Sequence, residues 1–250
     1  MQPDFGSTAA DYPRYRRPFP PELFERLRLL GFGIPRQKLL DIGAGTGLLG
    51  AEFVKQDCDV CAVDSSLALL TASPYAGLMR IAADAEAIPF PENYFDAVVA
   101  GQCWHWFDRR KAPREIRRVL RPGGCIAAIY QMYAPLAGGI AEATEQLILR
   151  DQPRWRHANS AGINGQVLRD LQMNGFIGIE SFSFDVSHSF SHEQWRGFIR
   201  TTSAVGASMS PGQMAKFDSD HARLLLDWPE PLEIPHRIFA AIARKPDSRL

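Results

Sequence analysis

The stretch Lys38–Gly47 constrains the fold more than any other part of this chain. It begins with a mostly apolar run, Leu39–Ile42, and ends in glycines at alternate positions: Gly43, Gly45 and Gly47. The run predicts a buried strand, and glycines that accept positive φ predict a tight turn where a ligand can approach the backbone. Helical spacing resumes over residues 48–55, so we predict a strand, a turn and a helix whose first N–H groups face a ligand.

Two acidic residues indicate which ligand the turn holds. Residues 45–50 fit the GxGxxG dinucleotide fingerprint. Asp41, however, would repel a pyrophosphate and attract an ammonium group; its alternative role is a strand-end carboxylate that caps nearby amides. Asp64 ends a second apolar run, where it would accept hydrogen bonds from ribose hydroxyls. An adenosine joined to an amino acid through a sulfonium meets both demands.

Four segments resemble the class I S-adenosylmethionine-dependent methyltransferases of the type 11 domain: Leu39–Gly47 (motif I), Val63–Asp64 (the second-strand acid), Asp84–Phe90 (D-A-E-x-(L/I)-P-F) and Glu115–Gly124 (before the fifth strand). The resemblance implies S-adenosylmethionine as cofactor and S-adenosylhomocysteine as product. It implies these cofactor-binding residues: Asp41, Gly43, Ala44, Gly45, Thr46, Gly47, Asp64, Ser65, Asp84, Ala85, Glu86, Gly101 and Gln102.

Apolar runs and helical segments alternate through the first half of the chain, which predicts a parallel sheet covered by helices. After the first strand, we predict strands over residues 59–63, 79–83, 94–101 and 125–130. Ligands bind beyond the carboxyl ends of such strands, so Asp84 would reach the adenine amino group; alternatively it is a helix N-cap or turn carboxylate. The resemblance implies an α/β, Rossmann-like, doubly wound and mostly parallel seven-stranded sheet, with an antiparallel last strand and a helical C-terminal cap.

Turn and cap residues predict several element boundaries. Arg121–Gly124, which reads Arg-Pro-Gly-Gly, would end a helix and turn into the fifth strand. Ser191 and Ser210 are each followed three residues later by glutamine, which predicts a capping box at the start of two helices. The final apolar run, Ile234–Ala243, would form the last strand.

We predict one domain, because 250 residues with 46% apolar content suffice for a single core, and the resemblance implies that it is a methyltransferase domain. Its parts would be an N-terminal arm and helix (1–34), a cofactor-binding core (35–132) and substrate-side helices with the last strands (133–250). Residues 1–20 would be a lid over the cofactor, as the resemblance implies, or an arm packed on the surface. Tyr12 and Tyr15 are the acceptor-binding candidates in this segment.

An aromatic cluster follows the predicted fourth strand: Trp104, His105 and Trp106. At the carboxyl edge of the sheet its aromatic faces would lie against the sulfonium, so all three residues are acceptor-binding candidates. His105 is also the candidate general base, because the unperturbed pKa of histidine lies near the working pH. Alternatively, the tryptophans cover the sheet and His105 is a hydrogen-bonded spacer.

Composition narrows the range of partners. Basic and acidic residues number 28 each, so no net charge draws the chain to nucleic acid or to an anionic membrane, and a small-molecule partner is favoured. The four cysteines lie in or beside apolar runs, and no second motif completes a zinc site. We therefore expect buried thiols, no metal and a reducing cytoplasm, with neither a signal peptide nor a membrane span.

The acceptor is less constrained than the cofactor. The Asp/Asn-Pro-Pro-Tyr signature of methylation at base amino groups is absent. The Trp-His-Trp-Phe-Asp segment and the helical C-terminal region resemble the branch that contains trans-aconitate methyltransferase, which implies a small organic acid. Arg16, Arg156 or Arg200 would clamp its carboxylate, or they are surface charges. Two other functions stay open: an NAD-dependent oxidoreductase that uses residues 45–50, and a cofactor-binding protein without turnover.

Overall fold

The computed structural model describes residues 12–155, 158–206 and 208–247, apart from the side chains of Tyr12 and Pro13. Its α-helices are α1 (Tyr12–Tyr15), α2 (Pro21–Leu29), α3 (Leu48–Val54), α4 (Leu67–Thr71), α5 (Lys111–Val119), α6 (Ile140–Asp151), α7 (Gly165–Met173), α8 (His192–Arg200) and α9 (Pro211–Leu225). Its strands are β1 (Lys38–Ile42), β2 (Asp59–Asp64), β3 (Met79–Ala82), β4 (Phe95–Gly101), β5 (Leu120–Tyr133), β6 (Ile177–Phe190) and β7 (Leu232–Arg244). A 3₁₀ turn, Trp104–Trp106, lies between β4 and α5.

The strands form a sheet in the order β3-β2-β1-β4-β5-β7-β6, with β7 antiparallel. This arrangement confirms the predicted Rossmann-like fold. β1 lies between β2 and β4, and Asp41 is opposite Ala62 on one side and Val99 on the other. Because parallel strands end at the same edge of a sheet, the loops that follow β1, β2 and β4 meet there.

The central strands are apolar on both faces, as expected of a parallel sheet covered by helices. Leu40 and Ile42 of β1 and Val98 of β4 are fully buried, and so is Ile116 of α5. Asp41 of β1 is the exception, because it is an acidic residue and is only 1% exposed. A charged group is rarely placed in such surroundings without a partner.

β5 begins earlier than its sequence predicts. Phe95 pairs with Leu120, and after a register shift Ala97 pairs with Cys125. The predicted turn at residues 121–124 is therefore wrong: these residues form an irregularity inside the strand. Gly123 accounts for it, because its positive φ of 72° lets the chain bend while its N–H donates to the Lys245 carbonyl at 3.0 Å.

The chain divides into two compact units. Unit 1 comprises the described residues of Met1–Arg17, Met132–Ile163 and Phe184–Arg237, and unit 2 those of Pro18–Gln131, Asn164–Ser183 and Ile238–Leu250. Unit 1 has an apolar core that includes Tyr133, Phe190, Trp195 and Phe198. Unit 2 contains the glycine turn and the loops that follow β2, β3 and β4. The division into three parts at residues 34/35 and 132/133, made from the sequence, stays a prediction.

Local sequence signals in unit 1 are confirmed at two helix starts. The hydroxyl of Ser191 accepts a hydrogen bond from the N–H of Gln194, whose side chain accepts from the Ser191 N–H. Ser210 and Gln213 form the same reciprocal pair at the start of α9. Each box satisfies N–H groups that a helix leaves unpaired at its start.

The four cysteines are free and buried, as predicted. Burial raises the pKa of the Cys61 thiol to about 12, so the thiol stays protonated at neutral pH. A bilayer-crossing helix needs a long apolar stretch, and the described helices contain none.

Candidate cofactor site

The glycine turn after β1 has the conformation that its sequence predicts. Gly43, Gly45 and Gly47 have φ angles of 66°, 58° and 82°, in the left-handed region that glycine adopts without strain. A methyl group on Gly47 would lie 2.4 Å from Leu78 Cδ1, so sterics exclude a side chain there. A methyl group on Gly45 would meet, of the described residues, only Leu69 Cδ1 at 4.0 Å. The protein therefore leaves space beside Gly45, where a ligand can approach the backbone.

The N–H groups of this turn are bonded within the protein. Ala44 donates to the Val63 carbonyl at 3.0 Å, Gly45 to Asp64 Oδ2 at 2.8 Å and Gly47 to the Ala44 carbonyl at 2.8 Å. The predicted role of the first N–H groups of α3 in facing a ligand stays a prediction, because these three groups belong to the turn itself. They hold the turn against the end of β2, and they are not free to bind a diphosphate.

Asp41 is the buried acidic residue beneath the turn. Its Oδ2 atom accepts a hydrogen bond from the Gly50 N–H at 2.9 Å, as the capping alternative predicts. Its Oδ1 atom is buried and, within the described ranges, has no hydrogen-bond partner. Burial raises the pKa of Asp41 to about 7; the bond from Gly50 lowers it, and the charge of Asp64 raises it further. A buried acceptor without a donor costs about 1–3 kcal/mol, which a cationic ligand group would recover.

Asp64 joins the end of β2 to two loops. Its Oδ2 atom accepts from the Gly45 N–H at 2.8 Å, and its Oδ1 atom accepts from the Ser66 N–H at 2.8 Å. Burial raises the pKa of Asp64, whereas these two hydrogen bonds lower it. A carboxylate oxygen accepts more than one hydrogen bond, so a ribose hydroxyl can still bind; that contact stays a prediction. Ser65, the neighbouring candidate, is exposed.

The loop after β3 is fixed by two residues of α5. Arg118 donates to the carbonyls of Ile88 and Phe90 at 2.8 and 2.7 Å, and Glu115 accepts from the Ile88 N–H at 3.1 Å. Glu115 and Arg118 also form an ion pair at 2.8 Å. Sequence reasoning gave these residues no role, although opposite charges three residues apart on a helix signal a pair.

The same loop carries three predicted cofactor residues. Asp84 is exposed and Ala85 is buried. Glu86 Oε1 accepts a hydrogen bond from the Asp108 N–H at 2.7 Å, so this carboxylate links the loop to the segment before α5. The contact of Asp84 with adenine stays a prediction.

The exit of β4 packs against the first turn. A methyl group on Gly101 would lie 2.9 Å from Leu49 Cδ2, so a larger residue would clash with α3. Gln102 follows with a positive φ of 61°. The buried Cys103 thiol donates to the Ile42 carbonyl at 3.1 Å, which ties the exit of β4 to the end of β1.

Trp104 is held by a carboxylate that sequence reasoning missed. Its indole Nε1 donates to Asp170 Oδ2 at 3.1 Å, and both side chains are buried, at 2% and 3% exposure. Asp170 also accepts from Arg109 at 2.8 Å and from Gln166 at 2.9 Å. The signal was present on α7, where Asp170 shares the apolar face at the i+3 position from Val167. Trp104 therefore packs under the 3₁₀ turn, and its contact with an acceptor stays a prediction.

His105 is exposed on that turn. Its ring centroid lies 4.5 Å from that of Trp106 and 6.1 Å from that of Tyr130. Tyr130 is buried, which raises the pKa of its hydroxyl, and the neighbouring Asn164 side chain lowers it in part. An exposed imidazole can exchange protons with water, as a base must, and the catalytic role of His105 stays a prediction.

The N-terminal candidates belong to unit 1. The Tyr15 hydroxyl donates to Glu193 Oε1 at 2.9 Å, and the ring is 5% exposed. Burial raises the pKa of this hydroxyl, and the bond to Glu193 raises it further. Residues 1–11 and the side chain of Tyr12 lie outside the described residues, so the lid stays a prediction.

The arginines proposed to clamp a carboxylate already have protein contacts where they are described. Arg16 donates to the Thr201 carbonyl at 2.8 Å, and Arg200 forms an ion pair with Asp218 at 2.6 Å. Arg156 lies outside the described residues. No cluster of three metal-ligating side chains occurs in the ranges that the structure covers.

A known sequence family matches this part of the chain. A family model described as a methyltransferase domain matches residues 40–128. An uncharacterised methyltransferase of Mycobacterium tuberculosis is 37% identical over 153 residues, which cover 60% of this chain and 61% of the relative. The aligned part thus spans less than two thirds of that relative's length.

Two solved structures are similar to most of this chain. A protein from Anaeromyxobacter dehalogenans assigned as a type II methyltransferase is 24% identical, with a TM-score of 0.69 over 93% of this chain and 99% of that chain. A phosphoethanolamine N-methyltransferase from Haemonchus contortus, solved with phosphomonomethylethanolamine and S-adenosylhomocysteine, is 19% identical, with a TM-score of 0.57 over 97% and 58%. At these identities the likeness concerns the fold.

Proposed function

We propose that this chain carries a class I S-adenosylmethionine-dependent methyltransferase domain and that the protein transfers the methyl group of this cofactor to a small-molecule acceptor. The buried carboxylate of Asp41 is the observation that carries the proposal. Its Oδ1 atom lacks a partner among the described residues, two positions before Gly43. The α-ammonium group of S-adenosylmethionine is a cation of the kind that this oxygen needs.

The residues around the turn fit the rest of the cofactor. The space beside Gly45 admits a ligand against the backbone. Asp64 retains acceptor capacity for ribose hydroxyls, and Asp84 is exposed at the edge where adenine would bind. When bound, the cofactor supplies a methyl group on a sulfonium, already activated for displacement.

Alignment of the acceptor accounts for most of the proposed rate. Orienting the reacting groups lowers the activation free energy by on the order of 7–11 kcal/mol, whereas a general base lowers it by roughly 3–5 kcal/mol. His105 is exposed at the exit of β4 and is our candidate for that base. The fixed turns contribute more, because Asp170 and Cys103 set the position of the Trp104–Trp106 segment.

The contacts of the turn disfavour an NAD-dependent oxidoreductase. The N–H groups of Gly45 and Gly47, which a pyrophosphate would need, are bonded to Asp64 and Ala44. Asp41 adds a carboxylate beneath the turn, and it would repel phosphate when ionised.

The acceptor class that we carry forward is a small organic molecule. The resemblance to trans-aconitate methyltransferase supports a carboxylic acid, with Arg16 and Arg200 as the described candidates to clamp its carboxylate. A hydroxyl compound is the other class, supported by the buried His236 Nε2 atom of unit 1, which lacks a partner within the described residues. The cytoplasmic location rests on the four free thiols.

Methyl transfer can be tested directly. The full chain would be incubated with methyl-labelled S-adenosylmethionine and a panel of organic acids, phenols and amines, and labelled product would be counted. We expect product with at least one acceptor and inhibition by S-adenosylhomocysteine. Cofactor binding without product from any acceptor would support a binding protein without turnover.

A further inference from the structure

Unit 1 contains a fully buried histidine with one unsatisfied ring nitrogen. His236 lies on β7, and its Nδ1 atom is 2.9 Å from the Ile234 carbonyl. A carbonyl only accepts, so Nδ1 carries the hydrogen and Nε2 presents a lone pair in the neutral ring. This Nε2 atom is buried and has no hydrogen-bond partner in the part of the chain that the structure describes.

Aromatic rings surround His236 on several sides. Phe190 is stacked against it with 5.8 Å between ring centroids. Tyr133, His188 and Phe198 meet it edge-on at 6.5, 4.7 and 5.8 Å. These rings come largely from the neighbouring strands β5, β7 and β6, and they offer flat apolar surfaces around one polar atom.

Burial keeps the Nε2 atom of His236 unprotonated. The pKa of His236 is lowered to about 4, chiefly by burial; His188, Arg17 and Arg16 add to the lowering, and the hydrogen bond to the Ile234 carbonyl opposes it. The guanidinium groups of Arg16 and Arg17 lie 5.0 and 4.2 Å from the ring centroids of Phe198 and Phe190. At neutral pH the ring therefore accepts a hydrogen bond at Nε2 and has no hydrogen to donate there.

We propose that unit 1 binds the methyl acceptor at this site, and that the acceptor is a planar aromatic or enolic molecule whose hydroxyl group donates a hydrogen bond to His236 Nε2. The inference rests on the proposed methyltransferase function. A lone pair buried among rings needs a donor, and a carboxylate at neutral pH has none to give. The surrounding ring faces suit a flat ligand, which would also recover the cost of the unsatisfied nitrogen.

The test uses the full chain with ¹⁵N-labelled histidine and S-adenosylhomocysteine present. Phenol and benzoate are the probes, because they share a ring and differ in the group offered to Nε2. We expect phenol to shift the Nε2 resonance of His236 in a saturable way and benzoate to leave it unchanged. The proposal is overturned if benzoate binds in place of phenol, or if phenol binds without that shift. It is also overturned if neither probe gives a response, which is the result expected if only a buried water occupies the site.

Three variants provide a second readout by calorimetry. His236→Phe keeps the aromatic packing and removes the lone pair, so phenol affinity should fall by about tenfold or more. His236→Gln restores an acceptor and should retain affinity within about threefold of the unsubstituted chain. His221→Phe is the comparison variant. His221 is also fully buried in unit 1, with one ring nitrogen bonded to Thr144 at 3.2 Å and its Nδ1 atom, like His236 Nε2, without a partner within the described residues. Because the proposal assigns the ligand to His236 alone, this variant should leave phenol affinity unchanged. Equal losses in His236→Phe and His221→Phe would overturn the proposal.

The two proposals fail in different ways. If S-adenosylhomocysteine binds and phenol does not, the acceptor site is wrong and the methyltransferase function stands. If S-adenosylhomocysteine does not bind, the function itself is contradicted. If His236→Phe does not fold, the ¹⁵N spectra of the unsubstituted chain with phenol and benzoate still test the acceptor site.

Discussion

Asp41 and Gly50 are joined by a hydrogen bond of 2.9 Å from the Gly50 N–H to Asp41 Oδ2, while the other carboxylate oxygen of Asp41 lacks a partner within the described residues. One oxygen thus holds α3 against the end of β1. The other oxygen is buried, and no described residue donates a hydrogen bond to it. This asymmetry separates the structural role of Asp41 from its proposed role in binding a cation.

The first prediction concerns the pH dependence of S-adenosylhomocysteine binding. Burial raises the pKa of Asp41 to about 7, so much of the free protein holds this carboxyl protonated below that pH. An ammonium group binds the ionised form, so affinity should rise with pH up to about 7, by at most about tenfold per pH unit, and then level off. Calorimetric titration between pH 5 and pH 7.5 would measure this.

Asp41→Asn is the control for that prediction. The amide keeps an acceptor for the Gly50 N–H and cannot ionise. We expect weaker S-adenosylhomocysteine binding that is independent of pH over the same range. If the affinity of Asp41→Asn for S-adenosylhomocysteine still rises with pH as in the parent protein, another group causes that pH dependence, and the role of Asp41 is contradicted.

The second prediction uses two glycines with nearly the same backbone. Gly45 and Gly178 have φ of 58° and 57°, and an added methyl group meets nothing described closer than 4 Å at either. Gly45→Ala and Gly178→Ala should each lower the free energy of unfolding by about 1–2 kcal/mol, because both place alanine in the left-handed region. Only Gly45→Ala should also weaken S-adenosylhomocysteine binding, by about tenfold or more, because its methyl group fills the space beside the turn. Equal binding by the two variants would exclude a ligand at Gly45.

The third prediction concerns the support of the β4 exit. Asp170→Ala leaves the buried Trp104 indole N–H unpaired and should lower the free energy of unfolding by about 1–3 kcal/mol in urea denaturation. Arg109→Lys should cost less than about 1 kcal/mol, because lysine keeps a cation beside the buried Asp170 and the arginine side chain is 54% exposed. A larger effect at Arg109 than at Asp170 would contradict the account.

Much of the fold could be predicted because its signals are local. The run before Gly43 and the alternation of apolar and helical segments predict the parallel sheet, and the serine–glutamine pairs predict α8 and α9. The start of β5 could not be predicted in this way. Residues 121–124 have turn chemistry, and pairing of Leu120 with Phe95 on the neighbouring strand draws them into the sheet.

The site was predictable to the extent that chemistry follows residue type. The position of Asp41 suggested a carboxylate that attracts an ammonium group beside the turn. The structure adds that this carboxylate is buried and that one of its oxygens has no partner within the described residues. The internal bonds of Gly45 and Gly47 were not predictable, because they depend on where Val63 and Asp64 come to lie after folding. Likewise, sequence spacing alone could not place Asp170 beside Trp104.

The fourth prediction tests His105 as a base. His105→Ala should slow methyl transfer to a hydroxyl or amine acceptor by at least about tenfold and leave S-adenosylhomocysteine affinity within about twofold. The side chain is exposed, so the change should leave the free energy of unfolding nearly intact. A rate equal to that of the parent protein would remove His105 from the mechanism.

The measurement that tests the central claim most directly is a calorimetric titration of the full chain with S-adenosylhomocysteine and with NADH at neutral pH, repeated for Asp64→Ala. We predict that S-adenosylhomocysteine binds, that NADH does not, and that Asp64→Ala weakens S-adenosylhomocysteine binding by about tenfold or more. Binding of NADH without S-adenosylhomocysteine, or an affinity for S-adenosylhomocysteine unchanged in Asp64→Ala, would contradict the assignment of the acidic strand ends to this cofactor.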